Sequence, residues 1–407
     1  MSAPTHKPRV AVVSPFLDKS HGTERIAIEW ITRLSAEFEF HIYSQQVEDL
    51  DLSTVVWHRI PKLRGPHLFN YLWWFIASRL WRTWDGRARG INFDVIFSPG
   101  VNCLDADVIS VHIVFGEFFR RVRSELRFRG NPPRFWPRLL HRWLYYRLII
   151  FLESRVYADS DNVLILIAKK TAADLDRLYH RRDGLVILYL GFDHATYHPA
   201  RRAALREASR TTLAIPDGRF QLLMVGNDWH KKGVRVLLES LSLLRDLPID
   251  LMLVGSEDPA PFRAMAAAKG LSDRVQFLPP RKDVEFYYAA ADVYVGPSLE
   301  DTFALPPVEA MSCGMSVIVS RENGAYEIMT DGTDGLILDD PTDAATLASM
   351  IRKLYDDRDL RERIGAKAVE TAQQFSWEQN ARDLAAIFEE IIRRKSGLQA
   401  QTLTQES

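Results

Sequence analysis

From Phe220 to Leu338, short and largely apolar runs alternate with segments of helical character, and this alternation restricts the fold most strongly. The runs lie at 220–226, 249–255, 274–278, 292–296, 316–319 and 336–338. Continuous apolar runs are typical of strands that are buried on both faces, and their alternation with helices predicts parallel βαβ units with right-handed crossovers. The first half repeats the pattern less regularly, with runs at 9–14, 38–44, 93–98, 108–112, 162–167 and 185–190.

The length of the chain, 407 residues, predicts two domains. We place an N-terminal domain at 1–195, a second domain at 196–375, a helix at 376–395 and a polar, disordered tail at 396–407. Only Cys103 and Cys313 occur, which argues against a disulfide framework or a zinc site. Because no signal-peptide core and no run of about 18 apolar residues occurs, the sequence predicts a cytoplasmic protein.

Two acidic residues, Asp301 and Glu309, lie between the runs at 292–296 and 316–319. The intervening segment predicts a loop that contains Asp301 and a helix that starts at Leu305 and contains Glu309. In open α/β sheets, ligands bind beyond the carboxyl end of a strand, next to the start of the following helix. Acidic residues near a helix N-terminus also complement the helix dipole without any ligand, so the spacing alone leaves both interpretations open.

The segment from Asp301 to Gly314, D-T-F-A-L-P-P-V-E-A-M-S-C-G, resembles the signature of the retaining glycosyltransferases of family four, E-G-F-G-L-P-P-x-E-A-M-A-x-G. These enzymes have the GT-B fold. The resemblance implies that Glu309 binds the ribose of a nucleotide and that Asp301, one methylene shorter than the family's glutamate, binds hydroxyl groups of the donor sugar. The neighbouring positions that the resemblance assigns to substrate binding are Glu300, Thr302, Phe303, Ala304 and Leu305.

A second resemblance lies in the loop N-D-W-H-K-K-G that follows Gly226. It is similar to the family's V-G-x(5)-K-G loop, in which a lysine grips the diphosphate of the donor. The resemblance implies that Lys232, with Lys231 beside it, holds the diphosphate, while Asn227 stands where an arginine often occurs. The loop lacks the G-K-[ST] of a P-loop. Arg281, on the loop 279–282, is placed by the resemblance near the nucleotide base.

In the first half, His112 ends a predicted strand at the position where family members often carry a histidine near the sugar and phosphate. Asp107 matches an acid found in some members. The segment H-G-T-E-R at 21–25 resembles the family's G-G-x-E-R, which implies that backbone N–H groups near Gly22 approach a phosphate. A structural histidine and an ordinary βα turn would leave the same residues at these positions.

Basic residues, mostly arginine, outnumber aspartate and glutamate between residues 59 and 147. The helical segment 67–84 combines arginine with tryptophan, and the segment 118–147 is dense in arginine with an interruption at Asn131-Pro132-Pro133. This composition suits an anionic acceptor or a membrane surface. Core helices with snorkelling arginines, or solvated helix faces, would have the same composition.

We therefore predict an α/β protein of the GT-B fold, with two Rossmann-like domains that face each other across a cleft and a C-terminal helix that crosses back. The resemblance implies a retaining, metal-independent glycosyltransferase that uses a nucleotide-diphosphate sugar as donor substrate and needs no cofactor. Its acceptor would be a glycan or glycolipid of the lipid-linked or lipopolysaccharide type, reached at the inner face of the cytoplasmic membrane, and nucleic acid is not a predicted partner. The alternatives are a GT-B nucleotide-sugar 2-epimerase and a non-catalytic nucleotide-sugar-binding protein.

Overall fold

The computed structural model describes residues 6–19, 22–63, 65, 67–122, 134 and 136–405. The chain forms two units: unit 1 consists of Met1–Tyr189 and Trp377–Ser407, and unit 2 consists of Leu190–Ser376. The sequence placed the first boundary a few residues later, at 195/196. Phe192 explains the difference, because its N–H donates to the carbonyl of Phe375 (2.9 Å) and its ring stacks on Phe303, both in unit 2.

Unit 1 is built on a parallel sheet. Its elements are β1 (Arg9–Val13), β2 (Phe16–Leu17), α1 (Gly22–Leu34), β3 (Glu39–Ser44), β4 (Gln46–Val47), β5 (Val56–Arg59), α2 (His67–Arg89), β6 (Val95–Pro99), β7 (Val108–Val111), α3 (Phe115–Val122), α4 (Trp136–Val156), β8 (Val163–Leu166), α5 (Lys169–Tyr179) and β9 (Leu185–Ile187). Within the described residues the main sheet has the order β5-β3-β1-β6-β7-β8-β9, and β2 pairs separately with β4. Strand β5 was not predicted, because its four residues lie at the sheet edge and include exposed and polar side chains.

Unit 2 has the second parallel sheet. Its elements are α6 (Pro199–Thr212), β10 (Phe220–Val225), α7 (Val234–Ser242), β11 (Ile249–Val254), α8 (Ala260–Ala268), β12 (Val275–Leu278), α9 (Glu285–Ala290), β13 (Val293–Gly296), α10 (Leu305–Ser312), β14 (Ser316–Ser320), β15 (Leu336–Leu338), α11 (Ala344–Asp356) and α12 (Arg358–Ala372). Over the described part of the chain, the strand order is β12-β11-β10-β13-β14-β15. Because β10 and β13 are neighbours although two strands separate them in the chain, the order reverses there, which is where open α/β sheets bind ligands.

The last helix, α13 (Trp377–Gln405), belongs to unit 1. Its Phe388 is fully buried and packs edge to face on Phe38, with ring centroids 5.6 Å apart. The sequence predicted disorder from residue 396, and this was wrong over 396–405. That segment has no proline and contains alanine, leucine and glutamine, which favour continuation of the helix.

The two arginine-rich segments of unit 1 are largely helical. The first is α2, which continues beyond the predicted end at 84 to Arg89. The second is covered by α3 and α4, whereas its middle part, at 123–133 and 135, lies outside the described residues, as does His21. None of the helices that the structure describes is both long and apolar enough to cross a membrane.

Candidate functional site

The loop between β10 and α7 holds Lys232 at the carboxyl edge of the unit 2 sheet. Gly226 leaves the strand with a φ of +144°, and the buried Trp229 donates from Nε1 to the carbonyl of Gly226 (2.8 Å). At the other end of the loop, Gly233 has a φ of +78°, and a Cβ atom there would overlap the carbonyl oxygen of Pro297. Both ends of the loop therefore have backbone conformations that favour glycine, and at Gly233 the absence of a side chain lets the loop contact the residue that follows β13.

Lys232 is paired with Asp301. Its Nζ donates to Asp301 Oδ2, and the two side chains are only 19% and 17% exposed. The backbone of Asp301 is held by the loop after β14, because its N–H donates to Glu322 (2.9 Å) and its carbonyl accepts from Gly324 (3.2 Å). The fold thus brings together the cation and the first carboxylate that the sequence had assigned to donor binding.

Glu309 lies inside α10 and is buried. Its Oε2 accepts a hydrogen bond from the hydroxyl of Tyr288, a fully buried residue of α9, at 2.7 Å. Burial raises the pKa of Tyr288 well above its ordinary value, and the charge of Glu309 raises it further, so the phenol remains a donor. Sequence reasoning missed Tyr288, because a tyrosine in an apolar helix is indistinguishable from an ordinary core residue.

Both carboxylates lie near Tyr294, on β13. Burial raises the pKa of the Tyr294 phenol, and the charges of Asp301 and Glu309 raise it further. The loop between them is tied down by Asn323, whose side-chain oxygen accepts from the N–H groups of Ala304 (3.4 Å) and Ala325 (3.1 Å). Asp301 and Glu309 therefore both act on one buried side chain of β13, although their own hydrogen-bond partners differ.

The other predicted residues of the loop before α10 differ in exposure. Glu300, Thr302 and Leu305 are partly exposed, so their side chains are accessible to a ligand. Phe303 and Ala304 are buried, which leaves backbone groups as their means of contact.

Three further predicted residues have partners within unit 2. Lys231 Nζ lies 3.5 Å from Asp228 Oδ2, and Asn227 Oδ1 accepts from the N–H of Ser256 at 2.8 Å. The side chain of Arg281 pairs with Asp283 (2.7 Å), and its guanidinium lies over the ring of Phe286. Asn227, at the position of the family's arginine, thus joins the loops that follow β10 and β11.

In unit 1, His112 directly follows β7 and lines a cavity of about 500 Å³ at the carboxyl ends of the strands. Its Nε2 lies 3.1 Å from Ser110 Oγ. The cavity wall includes residues that sequence reasoning missed, because they are scattered over five elements and loops: Glu24, Lys62, Asn70, Tyr71, Trp74, Asn102 and Tyr145. Two of them are fixed by loop carbonyls, since Tyr71 donates to Val101 (3.2 Å) and Trp74 donates to Asn102 (2.9 Å).

Gly22 is the first residue of α1, and its neighbours Thr23 and Glu24 line this cavity. A Cβ atom on Gly22 would meet nothing within 4 Å, so packing does not require glycine there. The requirement for glycine, if a phosphate is bound, would come from the ligand.

The position of Asp107 contradicts the prediction that this residue binds substrate. It precedes β7, at the amino edge of the sheet, whereas His112 follows the carboxyl end of the same strand. Its Oδ2 accepts from the N–H of Ile96 (2.7 Å) and from Lys395 Nζ of α13 (2.6 Å). The carboxylate therefore joins β6 and the last helix, a structural role that a match by sequence position alone does not distinguish from ligand binding.

Replacing His112 with glutamine is expected to reduce the loss of stability on acidification. Burial lowers the pKa of His112 to about 4, from an ordinary 6.5. Between these two pKa values the unfolded chain binds more protons than the folded protein. The neutral, buried His112 therefore contributes fully to the free energy of unfolding above pH 6.5, and this contribution, up to about 3 kcal/mol, is lost as the pH falls through about 4. Urea unfolding at about pH 4.5 and about pH 7 measures this. Equal pH dependence in the two proteins would contradict it.

No group of three or more His, Cys, Asp or Glu side chains placed to hold a metal ion occurs among the described residues. The charged groups that the structure places at the carboxyl ends of the unit 2 strands include the ammonium of Lys232 and the carboxylates of Asp301 and Glu309. Such a set suits a ligand that has both hydroxyl groups and an anionic group.

The segment of the chain that contains this site is similar to known glycosyltransferases. Residues 206–371, which contain Lys232, Asp301 and Glu309, match the model of a family described as Glycosyl transferases group 1. A D-inositol 3-phosphate glycosyltransferase from Corynebacterium kroppenstedtii is 30% identical over 260 residues, covering 60% of this chain and 56% of the relative. The chain spans little more than half the length of the curated relatives it matches.

Solved structures establish the fold. WaaG, a glycosyltransferase involved in lipopolysaccharide biosynthesis, superposes with a TM-score of 0.72 at 21% identity, covering 93% of this chain and 99% of WaaG. Sucrose-phosphate synthase from Thermosynechococcus elongatus gives 0.73 at 17% identity, covering 96% and 100%. At these identities the likeness concerns the fold, and it confirms the predicted GT-B class with its parallel sheets.

Proposed function

We propose that this protein is a retaining glycosyltransferase that moves a sugar from a nucleotide-diphosphate sugar to a hydroxyl group of an acceptor. The observation that carries the proposal is the pairing of Lys232 with Asp301 beside Glu309, at the reversal point of a sheet in the segment that matches the glycosyltransferase family. The donor binds to unit 2, with its diphosphate on Lys232 and Lys231 and its ribose on Glu309. The base lies on the loop of Arg281.

The reaction needs stabilisation of the departing diphosphate. The bond between the anomeric carbon and the phosphate oxygen breaks, a bond from that carbon to the acceptor oxygen forms, and the acceptor's proton goes to the leaving phosphate. A fixed ammonium in a mostly buried site stabilises the charge that develops on that phosphate. Asp301 and Glu309 act as binding groups, which differs from the acid and nucleophile pair of a retaining glycosidase.

The donor's arrival changes the partner of Lys232. In the structure its ammonium contacts Asp301, and a diphosphate on the same ammonium leaves that carboxylate available to accept hydrogen bonds from sugar hydroxyls. Lys232 thus contacts the phosphate side of the bond that breaks, and Asp301 contacts the sugar side. This exchange also favours Asp301 over Glu300 as the sugar-binding acid, because the structure pairs Asp301 with Lys232.

The acceptor binds in the cavity of unit 1, and His112 forms part of the wall of that cavity. The cavity is lined by aromatic rings and side-chain amides, which suit the faces and hydroxyl groups of a carbohydrate. We propose an acceptor glycan or glycolipid of the cell envelope, reached from the cytoplasmic side with the protein peripheral on the membrane. WaaG, of the same fold, is involved in lipopolysaccharide biosynthesis, which supports this class of acceptor.

Retention and metal independence are tested on the product. Transfer is expected to continue at an unchanged rate in excess EDTA, and NMR of the product should show the donor's anomeric configuration. Loss of transfer in EDTA, or the opposite configuration, would contradict the mechanism. Conversion of the donor's sugar to its epimer without any acceptor would instead identify a 2-epimerase.

The roles of the two carboxylates are separable by substitution. Glu309→Ala is expected to weaken binding of the nucleoside diphosphate itself by about tenfold or more, because it removes a charged hydrogen-bond partner of the ribose. Asp301→Ala should lower transfer by more than about tenfold with little change in nucleoside diphosphate binding. Calorimetry and turnover assays measure the two effects, with Glu239→Ala, an exposed position on α7, as control. Equal effects of both substitutions on binding and transfer would show that the assignment is wrong.

A further inference from the structure

The exposed side of α2 is apolar along its length. Large apolar side chains recur every three or four residues and are 41–65% exposed: Phe69, Leu72, Ile76, Leu80 and Trp84. This spacing places them on one face of the helix. The half-exposed Leu104 extends the face, because it lines a shallow cavity of about 300 Å³ together with Ile76 and Leu80.

Helix α4 has a similar exposed side. Its exposed apolar residues, each 40–53% accessible, are Trp136, Leu140, Trp143, Leu144 and Phe151. The two helices touch each other, since the rings of Tyr71 and Tyr145 lie edge to face with centroids 5.3 Å apart. We call the exposed apolar residues of α2 and α4 the α2–α4 surface. Isolated exposed apolar residues are ordinary, but an apolar face of this length marks an interaction surface.

The charges on these helices are of one sign where solvent reaches them. The only acidic residues within α2 and α4 are Asp85 and Glu153, and both are buried. The exposed arginines lie against exposed aromatic rings: Arg89 over Trp84 (4.6 Å), Arg147 over Trp143 (6.0 Å) and Arg155 over Phe151 (5.2 Å). Tryptophan and arginine adjoining an apolar face suit the interface between lipid chains and anionic headgroups.

We propose that the α2–α4 surface binds the surface of an anionic lipid membrane. Apolar side chains enter the boundary between headgroups and acyl chains, and the arginines contact lipid phosphates. A protein partner would call for complementary carboxylates on that partner, but nothing in the surface selects a particular one. A bilayer needs only the apolar stripe and the cations.

The surface adjoins the cavity of unit 1. Asn70, Tyr71 and Trp74 of α2 line the cavity, while Phe69 and Leu72 on the same turns belong to the α2–α4 surface. A membrane-bound α2 therefore places the cavity beside lipid headgroups, which is where a lipid-linked sugar would be found. This consequence rests on the proposed transferase function, whereas membrane binding itself does not.

The test is co-sedimentation of the whole protein with vesicles of phosphatidylcholine alone and of phosphatidylcholine with phosphatidylglycerol. The anionic vesicles are expected to bind at least about tenfold more tightly, and binding should weaken as salt rises. The triple variant Ile76→Gln, Leu80→Gln, Trp84→Gln should lose about tenfold or more in affinity. The double variant Arg147→Ala, Arg155→Ala should lose most of the preference for anionic vesicles.

Matched controls lie in unit 2. Leu243 is 53% exposed, against 54% for Leu80, so Leu243→Gln and Leu80→Gln form a pair in which only the second should weaken vesicle binding. Arg358→Ala serves the same purpose for the arginines, because its side chain is also exposed. Thermal unfolding verifies that each variant is folded.

Absence of binding to either kind of vesicle, or equal binding by the wild type and the triple variant, would overturn the proposal. If light scattering shows a dimer that the triple variant converts to a monomer without vesicle binding, a second copy covers the surface and the proposal is also wrong. Donor binding measured without vesicles separates the two proposals: the variants should retain it, and its absence in the wild type would contradict the transferase function alone.

Discussion

Lys232→Ala is expected to lower donor turnover by about 10²–10³-fold, the range found when one fixed donor group of a transition-state site is removed. Lys232 is the cation that the fold holds against the carboxylate assigned to the sugar, and its side chain packs against the backbone of Gly226. The substitution also leaves the mostly buried carboxylate of Asp301 without its ammonium partner. That uncompensated carboxylate would repel the negatively charged diphosphate. Slow hydrolysis of the donor, with water in place of the acceptor, gives a turnover measurement before the acceptor is known.

The control for this substitution is Lys353→Ala. Lys353 is an exposed lysine near the end of α11, in the same unit, and its removal changes the net charge equally. Turnover should remain within about twofold of the wild type, because exposed charges at a distance are screened. If both substitutions reduce turnover to the same extent, the effect comes from overall charge and the assigned role of Lys232 is wrong.

Gly233→Ala is expected to destabilise unit 2 by more than about 3 kcal/mol. Two costs add at this position: a φ of +78°, which L-residues rarely adopt, and overlap of the new Cβ with the carbonyl oxygen of Pro297. Relief of the overlap would move either the end of β13 or the loop that carries Lys232. Urea unfolding measures the free energy, and donor binding should weaken in parallel.

Gly218→Ala separates the two costs. Gly218 has the same φ of +78°, but a Cβ atom there would meet nothing within 4 Å. Its substitution is expected to destabilise the protein by only about 1–2 kcal/mol, from the backbone conformation alone. Equal destabilisation by the two substitutions would show that the contact between Gly233 and Pro297 is not tight.

The sequence predicted unit 2 well for a physical reason. Strands such as β10 and β11 are buried on both faces of a parallel sheet, so their residues form continuous apolar runs that are readily recognised between helices. Gly226 and Gly233 lie at the two ends of the loop that the sequence predicted to hold the diphosphate. The signature from Asp301 to Gly314 is likewise local in the chain.

Features that depend on distant parts of the chain were not predictable in this way. The bond from Tyr288 to Glu309 and the cavity around His112 each join several elements, and no local pattern encodes them. Asp107 was assigned to a site by its position in a motif, whereas its partners Ile96 and Lys395 show that it lies at the other edge of the sheet. The edge strand β5 was missed because it is short and partly exposed, and the continuation of α13 was missed because its polar residues resemble those of a disordered tail.

Calorimetric titration of the wild type with UDP-, GDP- and ADP-linked sugars, repeated with Lys232→Ala, tests the donor site of unit 2 most directly. We expect sugars linked to one of the three nucleotides to bind, and we expect binding to weaken by at least about tenfold in the variant. That outcome would also identify the donor's base. If none of the nucleotide sugars binds the wild type, or if the variant binds them equally well, the assignment of unit 2 as the donor site is wrong.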